Sequence, residues 1–447
     1  MSDKSHDFNE LRKKYGSFVF SGYETEYEDG QLKVRFKYTI SGLESFVTKW
    51  TFPVTCPEKE NSEILERLLF SLGMVEGISY YKCTCAEDFE VPFSMLDERQ
   101  RLWWEKLIWL GLGEFRYIND IKAERESFVR VASPLRNDCT PLHDPFEYSG
   151  VLVPVGGGKD SVVSLELLRG EKVIAYTVNC SEAEKSCINA CDHCISHLEV
   201  RRVLDKKILE MNEKGFLNGH IPFSAVLAFS AVVTAYLNGI KYIALSNENS
   251  ANESTVKDSD VNHQYSKSYE FEKDFTEYIK GLTDSDIHYF SLLRPLSELQ
   301  IASLFSKYKQ YHKVFRSCNK GSKQGIWCCD CPKCMFVYII LSPFLSDDEL
   351  TGIFGENLFD KESMDLYLRE LCGIEENKPF ECVGTRAEVM ACLGEFVKKG
   401  RKSLLTERYR EFILQNAPDP KVLLGAWNDE NNVPGDFIDV IRTAVFS

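Results

Sequence analysis

Val151-Leu152-Val153-Pro154-Val155-Gly156-Gly157-Gly158-Lys159-Asp160-Ser161 decides how this chain folds. Five mainly apolar residues read as a strand, three glycines as a turn, and Asp160-Ser161 as the opening of a helix over residues 161–168. Glycine lets the backbone take positive φ and approach an anion closely. The N–H groups at the helix start, aided by the helix dipole, then face that anion. The stretch is not a Walker A loop, because no Gly-Lys-Ser/Thr follows a four-residue gap, and it lacks G-x-G-x-x-G spacing. Its bland alternative is a tight strand-to-helix turn that holds no ligand.

Outward from this loop, residues 172–178 read as a second strand. A helix over 223–237 leads through Asn238-Gly239 into a strand at 241–245. Strand, loop, helix and strand in alternation predict a parallel sheet with helices on both faces. Pro154 is a mild objection, since proline removes a ladder donor. Upstream, residues 18–23, 32–40 and 46–52 are rich in aromatic and β-branched types, with Gly30 and Gly42 between them, and predict an antiparallel meander. Ile64, Leu65, Leu68, Leu69 and Leu72 keep helical period within 61–72. Trp103, Trp104 and Trp109 weight a second helix over 99–112, and three prolines make 133–149 a linker candidate. The expectation is an α/β protein in three parts: an N-terminal α+β domain at 1–148, a parallel-sheet loop domain at 149–317, and a mainly helical region with a cysteine cluster at 318–447.

The 447 residues carry 53 Lys plus Arg against 68 Asp plus Glu, a formal net charge of −15. With 44% hydrophobic and 27% charged residues, the composition is ordinary globular and excludes disordered, collagen-like and coiled-coil classes. The acidic balance disfavours a nucleic-acid partner, which selects for a basic face. The polar first 15 residues hold no signal-peptide pattern. The most apolar stretch, 221–237, is interrupted by Pro222, Ser224, Ser230 and Thr234 and falls short of a membrane span. Sixteen cysteines without such a signal point to a reducing compartment, so the expectation is a soluble cytoplasmic protein with no membrane partner.

The run Gly156-Gly157-Gly158-Lys159-Asp160-Ser161 resembles the pyrophosphate loop, usually Ser-Gly-Gly-x-Asp-Ser, of the N-type ATP pyrophosphatases, departing at Gly156 where serine is usual. Those enzymes cleave ATP between the α and β phosphates and adenylate a substrate oxygen. The resemblance implies that Gly157, Gly158, Asp160 and Ser161, with Gly156 and Lys159 in the same loop, hold the pyrophosphate, and that the strand end at Asn179 lies near the adenine.

A narrower resemblance covers nearly the whole chain. It rests on Ser246-Asn247-Glu248-Asn249-Ser250-Ala251-Asn252-Glu253, Asn262-His263-Gln264-Tyr265-Ser266-Lys267-Ser268, residues 293–300 including Arg294, and residues 378–384. Residues 79–82 and 111–115 extend it toward the N-terminus. These stretches resemble, in the same order, the UDP-N-acetylmuramoyl-L-alanyl-L-glutamate epimerase family. That implies ATP-dependent inversion of the terminal L-glutamate of a UDP-N-acetylmuramoyl dipeptide for peptidoglycan precursor synthesis, with the residues just named around the substrate.

The implied chemistry is coherent. The Cα–H of a peptide-bound glutamate is a very weak acid, made weaker by its own carboxylate. The acylated nitrogen cannot form an imine with a pyridoxal cofactor. Adenylating the α-carboxylate removes its charge and gives the carbanion an enolate-like sink. ATP brings Mg²⁺ with it, which Glu248 or Glu253 would position, and Lys267 and Arg294 suit phosphates or carboxylates. Proton transfer on the two faces of Cα falls to His263 and Cys382, with Glu381 and Tyr265 behind them. The alternatives are another adenylating enzyme on the same loop, for nucleobase amidation or tRNA thiolation, and a nucleotide-binding module without turnover.

Cys318, Cys328, Cys331 and Cys334 form one upstream cysteine and a C-x-x-C-x-x-C knuckle, a spacing that lets four thiolates close a structural Zn²⁺ site. Free thiols or an iron–sulfur cluster remain open. The spacing also resembles the four-cysteine zinc site of the deazaguanine-synthase branch of ATP pyrophosphatases, which leaves Cys329 out. Cys187, Cys191 and Cys194, with His193 and His197, make a second cluster before an expected helix from Leu198. It reads as part of a metal site, as a substrate-side loop, or, at least as readily, as unliganded cysteines in a reducing compartment.

Overall fold

The structure, a computed structural model, describes residues 7–135, 139–252, 265–318, 320–321, 324–379, 381 and 383–446. They fall into two compact units, Met1–Ser149 with Glu199–Tyr242 and Asp260–His288, and Gly150–Leu198 with Ile243–Ser259 and Tyr289–Ser447.

In the first unit, β1 (Ser17–Glu28), β2 (Gln31–Ile40) and β3 (Glu44–Pro53) form the antiparallel meander. Strict alternation in β2 buries Leu32, Val34, Phe36, Tyr38 and Ile40 on one face, as period-2 patterning requires. Two short strands, β4 (Asp88–Glu90) and β5 (Arg130–Ala132), add in parallel beyond β1.

The helix Glu63–Tyr81 covers this buried face. Ser62 caps it, its hydroxyl accepting from the Leu65 N–H at 3.1 Å. It runs nine residues past the end expected from the leucine pattern, because its glycines are contact points. A Cβ on Gly73 would lie 2.8 Å from both Phe20 Cε1 and Phe36 Cδ1, and one on Gly77 2.9 Å from Phe89 Cζ. The Tyr38 hydroxyl donates to the Gly73 carbonyl at 2.7 Å. Close packing on aromatic rings thus overrides the low helix propensity of glycine. The apolar stretch expected to be a buried helix is one, Phe223–Leu237, in this same unit. No helix among the described residues is long and apolar enough to cross a membrane.

In the second unit, β6 (Val151–Pro154) is buried throughout and pairs in parallel with β7 (Val173–Val178), Val151 opposite Val173 and Pro154 opposite Tyr176. Pro154 is the last residue of its strand, where a missing donor costs least. Sheet order is β7, β6, β9 (Tyr242–Leu245), β10 (His288–Ser291), so the loop after β6 leaves the interior of the sheet rather than an edge. Residues 196–203 depart from the expected helix. They form β8 (Ser196–Val203), whose end, residues 201–203, belongs to the first unit and pairs there antiparallel with β3 in the register Lys49 to Val203. Its burial pattern has one fully buried position, Val200, so pairing rather than an apolar stripe defines it. Beyond residue 331 the described chain is helical, from Pro332–Leu341 to Gly435–Phe446.

Gly73→Val tests the helix-on-meander contact. Overpacking against Phe20 and Phe36 is expected to lower stability by about 1–3 kcal/mol, read as a lower thermal midpoint with the helical circular-dichroism signal retained.

Candidate functional site

The glycine loop joins β6 to the helix Lys159–Leu167, and each glycine meets a different constraint. Gly156 is exposed, with no atom within 4 Å of where a Cβ would stand. Gly157 sits at φ +72, and a Cβ there would be 3.0 Å from Ala183 and from the Glu184 nitrogen. Its carbonyl accepts from the Arg316 N–H at 2.6 Å. A Cβ on Gly158 would meet Ser317 Oγ at 2.7 Å. Gly158 is also the N-cap, and no side chain caps this helix start. A helix N-terminus without a capping side chain, beside an open glycine, fits an anion.

Lys159 opens the helix with its side chain 1% exposed, its ammonium held by Asp160 and Glu298. Burial works against that ammonium, but the two carboxylates more than offset it and raise its pKa. Burial drives the Glu298 carboxyl upward, with Lys159 opposing and Asp160 and Glu248 adding to the rise. Lys159 is therefore the firmly charged partner and Glu298 the softer one.

Glu298 starts the helix Glu298–Lys307, capped by Ser297 through a capping box with Gln300. Its N–H donates to Glu388 Oε1 at 2.7 Å. The other oxygen of Glu388 accepts from the Thr385 N–H at 2.7 Å and its hydroxyl at 2.9 Å, capping the helix Arg386–Lys398. Burial raises the Glu388 carboxyl as well. A Cβ on Gly384 would stand 2.8 Å from Glu388 Oε2 and 3.1 Å from Glu298 Cγ, so residues 383–385 lie against the Lys159 partner.

Glu248 is buried, accepts from Ser250 Oγ at 3.2 Å, and its carbonyl accepts from Arg294 Nη1 at 2.8 Å. Arg294 is fully buried and also reaches Ser291 Oγ, which accepts from Asn247 Nδ2 at 3.1 Å. Ser246 Oγ, just past β9, is buried with no hydrogen-bond partner among the described residues. Asn249 is exposed in the short turn Asn249–Asn252, and its Oδ1 accepts from Asn428 Nδ2 at 2.9 Å. Asn179 is exposed at the end of β7, at φ +55. Ser161 is buried, its hydroxyl donating to the Gly158 carbonyl at 3.0 Å.

Tyr265, Ser266 and Lys267 form a short turn in the first unit, whereas the loop belongs to the second. Burial raises the Tyr265 phenol, whose ring lies edge-on to Phe271 at 6.0 Å. Glu381 is half-buried, its N–H donating to the Pro379 carbonyl. Glu253, Asn262, His263, Gln264 and Cys382 lie outside the described residues. Sequence reasoning passed over Glu298, Glu388, Arg316 and Ser317. Glu298 carried a signal, as a carboxylate in the first turn of a helix with a buried apolar face at Leu299, Ile301, Ala302, Leu304 and Phe305.

The sulfurs of Cys318, Cys328, Cys331 and Cys334 all lie within 4.8 Å of one another. Cys334 Sγ stands 3.7 Å from Cys328 Sγ and 3.5 Å from Cys331 Sγ. Backbone N–H groups of Gly321 and Cys328 donate to Cys318 Sγ, and that of Cys334 donates to Cys331 Sγ, at 3.2–3.4 Å. Cys329, at φ +50, turns its thiol away to the Phe354 carbonyl at 3.2 Å. Four converging sulfurs with N–H donors behind them match the donor set of a tetrahedral soft-metal site.

Lys159→Met isolates the charge argument. Losing the ammonium leaves Glu298 buried without its partner and is expected to lower unfolding free energy by about 3–5 kcal/mol. Adding Glu298→Gln restores part of that loss, and urea titrations of the two single variants and the double variant measure the coupling.

A family model described as the MurL N-terminal domain matches residues 9–292, and one described as the MurL C-terminal domain matches residues 314–413. Three curated relatives carry the name UDP-N-acetyl-alpha-D-muramoyl-L-alanyl-L-glutamate epimerase. The protein of Salinispora tropica is 33% identical over 401 residues, 86% of each chain. That of Xanthomonas oryzae pv. oryzae is 34% identical over 338 residues, 73% of this chain and 74% of the relative. That of a Micromonospora species is 33% identical over 403 residues, 86% of this chain and 88% of the relative. No solved structure matches the chain. A domain model spanning more than half of the sequence, and relatives aligned across most of both lengths, place this chain in the MurL family.

Proposed function

We propose that this chain inverts the terminal L-glutamate of UDP-N-acetylmuramoyl-L-alanyl-L-glutamate to D-glutamate at the expense of ATP. The observation that carries the reading is the uncapped glycine loop at the start of Lys159–Leu167, in a chain 33% identical to epimerases of that name. The fold of the second unit is then that of an ATP pyrophosphatase of the pyrophosphate-loop type. ATP is a co-substrate, and its role is to convert the α-carboxylate into an acyl-adenylate with release of pyrophosphate.

Gly156, Gly157 and Gly158 bring backbone N–H groups to the phosphates, where a side chain would intrude. Lys159 holds the helix start in place through Glu298 and leaves the anion to the backbone, Asp160 and Ser161. Glu248, with burial and Arg294 fixing its backbone, is the carboxylate suited to a Mg²⁺ ion that neutralises phosphate charge. The orphaned hydroxyl of Ser246 is a ready donor to ligand oxygens.

Charge removal at the carboxylate makes the Cα–H acidic enough for side-chain bases. His263, Cys382 and Glu381 are the groups assigned to removing and returning the proton. Hydrolysis of the mixed anhydride then frees the inverted product and AMP. The product is a peptidoglycan precursor, the reaction is cytoplasmic, and neither a membrane nor nucleic acid takes part.

Incubation with ATP, Mg²⁺ and the UDP-N-acetylmuramoyl dipeptide in D₂O is expected to yield AMP, pyrophosphate and D-glutamate deuterated at Cα. AMP without inversion or exchange would move the adenylated acceptor to another compound and sink the epimerase reading. In Cys382→Ser, α-proton exchange is expected to vanish while substrate-dependent pyrophosphate release persists. Exchange at the wild-type rate would remove Cys382 from the proton transfers.

The four-cysteine cluster is proposed to hold a structural Zn²⁺. Metal analysis of freshly purified reduced protein is expected to give about one zinc per chain, as a closed four-thiolate site takes one ion. Cys331→Ser is expected to lose it with a fall in thermal midpoint. Zinc-free protein of wild-type stability would overturn the assignment.

A further inference from the structure

Cys191-Asp192-His193-Cys194 follows the helix Glu182–Ala190, and no step of the proposed reaction uses it. Cys191 ends that helix, its N–H donating to the Ile188 carbonyl at 3.1 Å. Cys194 Sγ donates to Cys191 Sγ across 3.0 Å. The His193 ring nitrogens both stand 3.5 Å from the Cys191 sulfur, and Nε2 is 2.9 Å from the Leu165 carbonyl. The same helix packs against the glycine loop, where Cys187 Sγ donates to the Gly157 carbonyl at 3.6 Å. His197 takes no part, its Nε2 being bonded to Thr177 Oγ1 at 2.8 Å.

A metal ion is the rival occupant, since Glu166, Cys191 and His193 present ligand atoms within 4.8 Å of one another. Two observations count against it, the first for an ion shared by both thiols and the second for one held by Glu166. Thiolates sharing a tetrahedral zinc at about 2.3 Å stand about 3.8 Å apart. The four-cysteine cluster comes near that spacing at 3.5 and 3.7 Å, whereas Cys191 and Cys194 are closer at 3.0 Å. Glu166 is also committed elsewhere, accepting from the Tyr311 hydroxyl at 2.6 Å and pairing with Arg169 at 2.9 Å. From 3.0 Å, a disulfide needs the sulfurs to close by about 1 Å, within reach of side-chain rotation.

We propose that Cys191 and Cys194 form a redox-active dithiol that exchanges with low-molecular-weight disulfides. The hydrogen bond from Cys194, with His193 beside it, holds the Cys191 thiol below the ordinary range, which favours its thiolate. That thiolate attacks one sulfur of the oxidant, a compound such as oxidised glutathione, and expels the other half as a thiolate. Cys194 gives up its proton to solvent and attacks the Cys191 sulfur of the mixed disulfide. The Cys191–Cys194 bond forms as the second half leaves. Two protein thiols are oxidised and one small disulfide is reduced to two thiols, so electrons balance.

The test equilibrates the reduced full chain with graded ratios of oxidised to reduced glutathione, blocks free thiols by alkylation, and maps residues 191–194 by mass. Cys191 and Cys194 are expected to lose alkylation together as the ratio turns oxidising, to yield a peptide with an internal disulfide, and to recover fully in dithiothreitol. Cys194→Ser is expected to stop at a mixed disulfide on Cys191, with circular dichroism showing the variant folded. Both thiols alkylated across the whole range would overturn the proposal. So would their protection in reduced protein by a second zinc beyond that of the four-cysteine cluster.

Discussion

A lysine ammonium buried to 1% exposure has to find its counter-charge within the fold, and in this chain that requirement ties three helices together. Lys159 starts one helix, Glu298 starts the next, and the Glu298 N–H lies on Glu388, which caps a third through Thr385. Taking a charge from water costs several kcal/mol, and a close partner returns it only in good geometry. The glycine loop therefore inherits its position from a lattice of charged groups rather than from apolar packing alone. Gly157 and Gly158 complete the constraint, since any Cβ there would strike Ala183 or Ser317.

The same lattice sets the electrostatics of an anion at the loop. Asp160, Glu248, Glu298 and Glu388 bring four carboxyl groups into one unit beside Lys159, Lys333 and Arg294. Burial pushes Glu388 toward its neutral form, which lessens the repulsion a phosphate would meet. In the proposed reading, a divalent cation arriving with the nucleotide would match what negative charge remains. For the proposed ATP site an overall charge of −15 is no obstacle, because backbone N–H groups and a cation would do the local work.

Local chemistry made much of this legible in the sequence. Strand, glycine turn and helix follow one another at 151–167, and the meander announces itself through alternation in 32–40. Features set by tertiary contact were not legible. The helix from Glu63 continues through Gly73 and Gly77 only because aromatic rings from β1 and β2 occupy the space where side chains would be. Residues 201–203 pair with β3 at Lys49, Trp50 and Thr51, and the short alternation of Leu198 and Val200 with Glu199 and Arg201 is too brief to announce the strand alone. The place of Lys159 in the loop is visible in the sequence, but its counter-ion Glu298, 139 residues away, is not. His263 and Cys382 fall outside the described residues, so their geometry adds nothing to that reading.

The two cysteine clusters show why spacing alone underdetermines chemistry. Both contain C-x-x-C, and both place sulfurs near one another. In the 318–334 cluster, four sulfurs converge within 4.8 Å of one another, and backbone N–H donors stand behind two of them, Cys318 and Cys331, which suits a cation at the centre. In the 191–194 turn, one thiol donates straight into the other and the nearest carboxylate is already engaged, which leaves the pair facing itself. Donor count and what stands behind each donor separate a metal cage from a dithiol, and those are properties of the fold that no linear motif encodes.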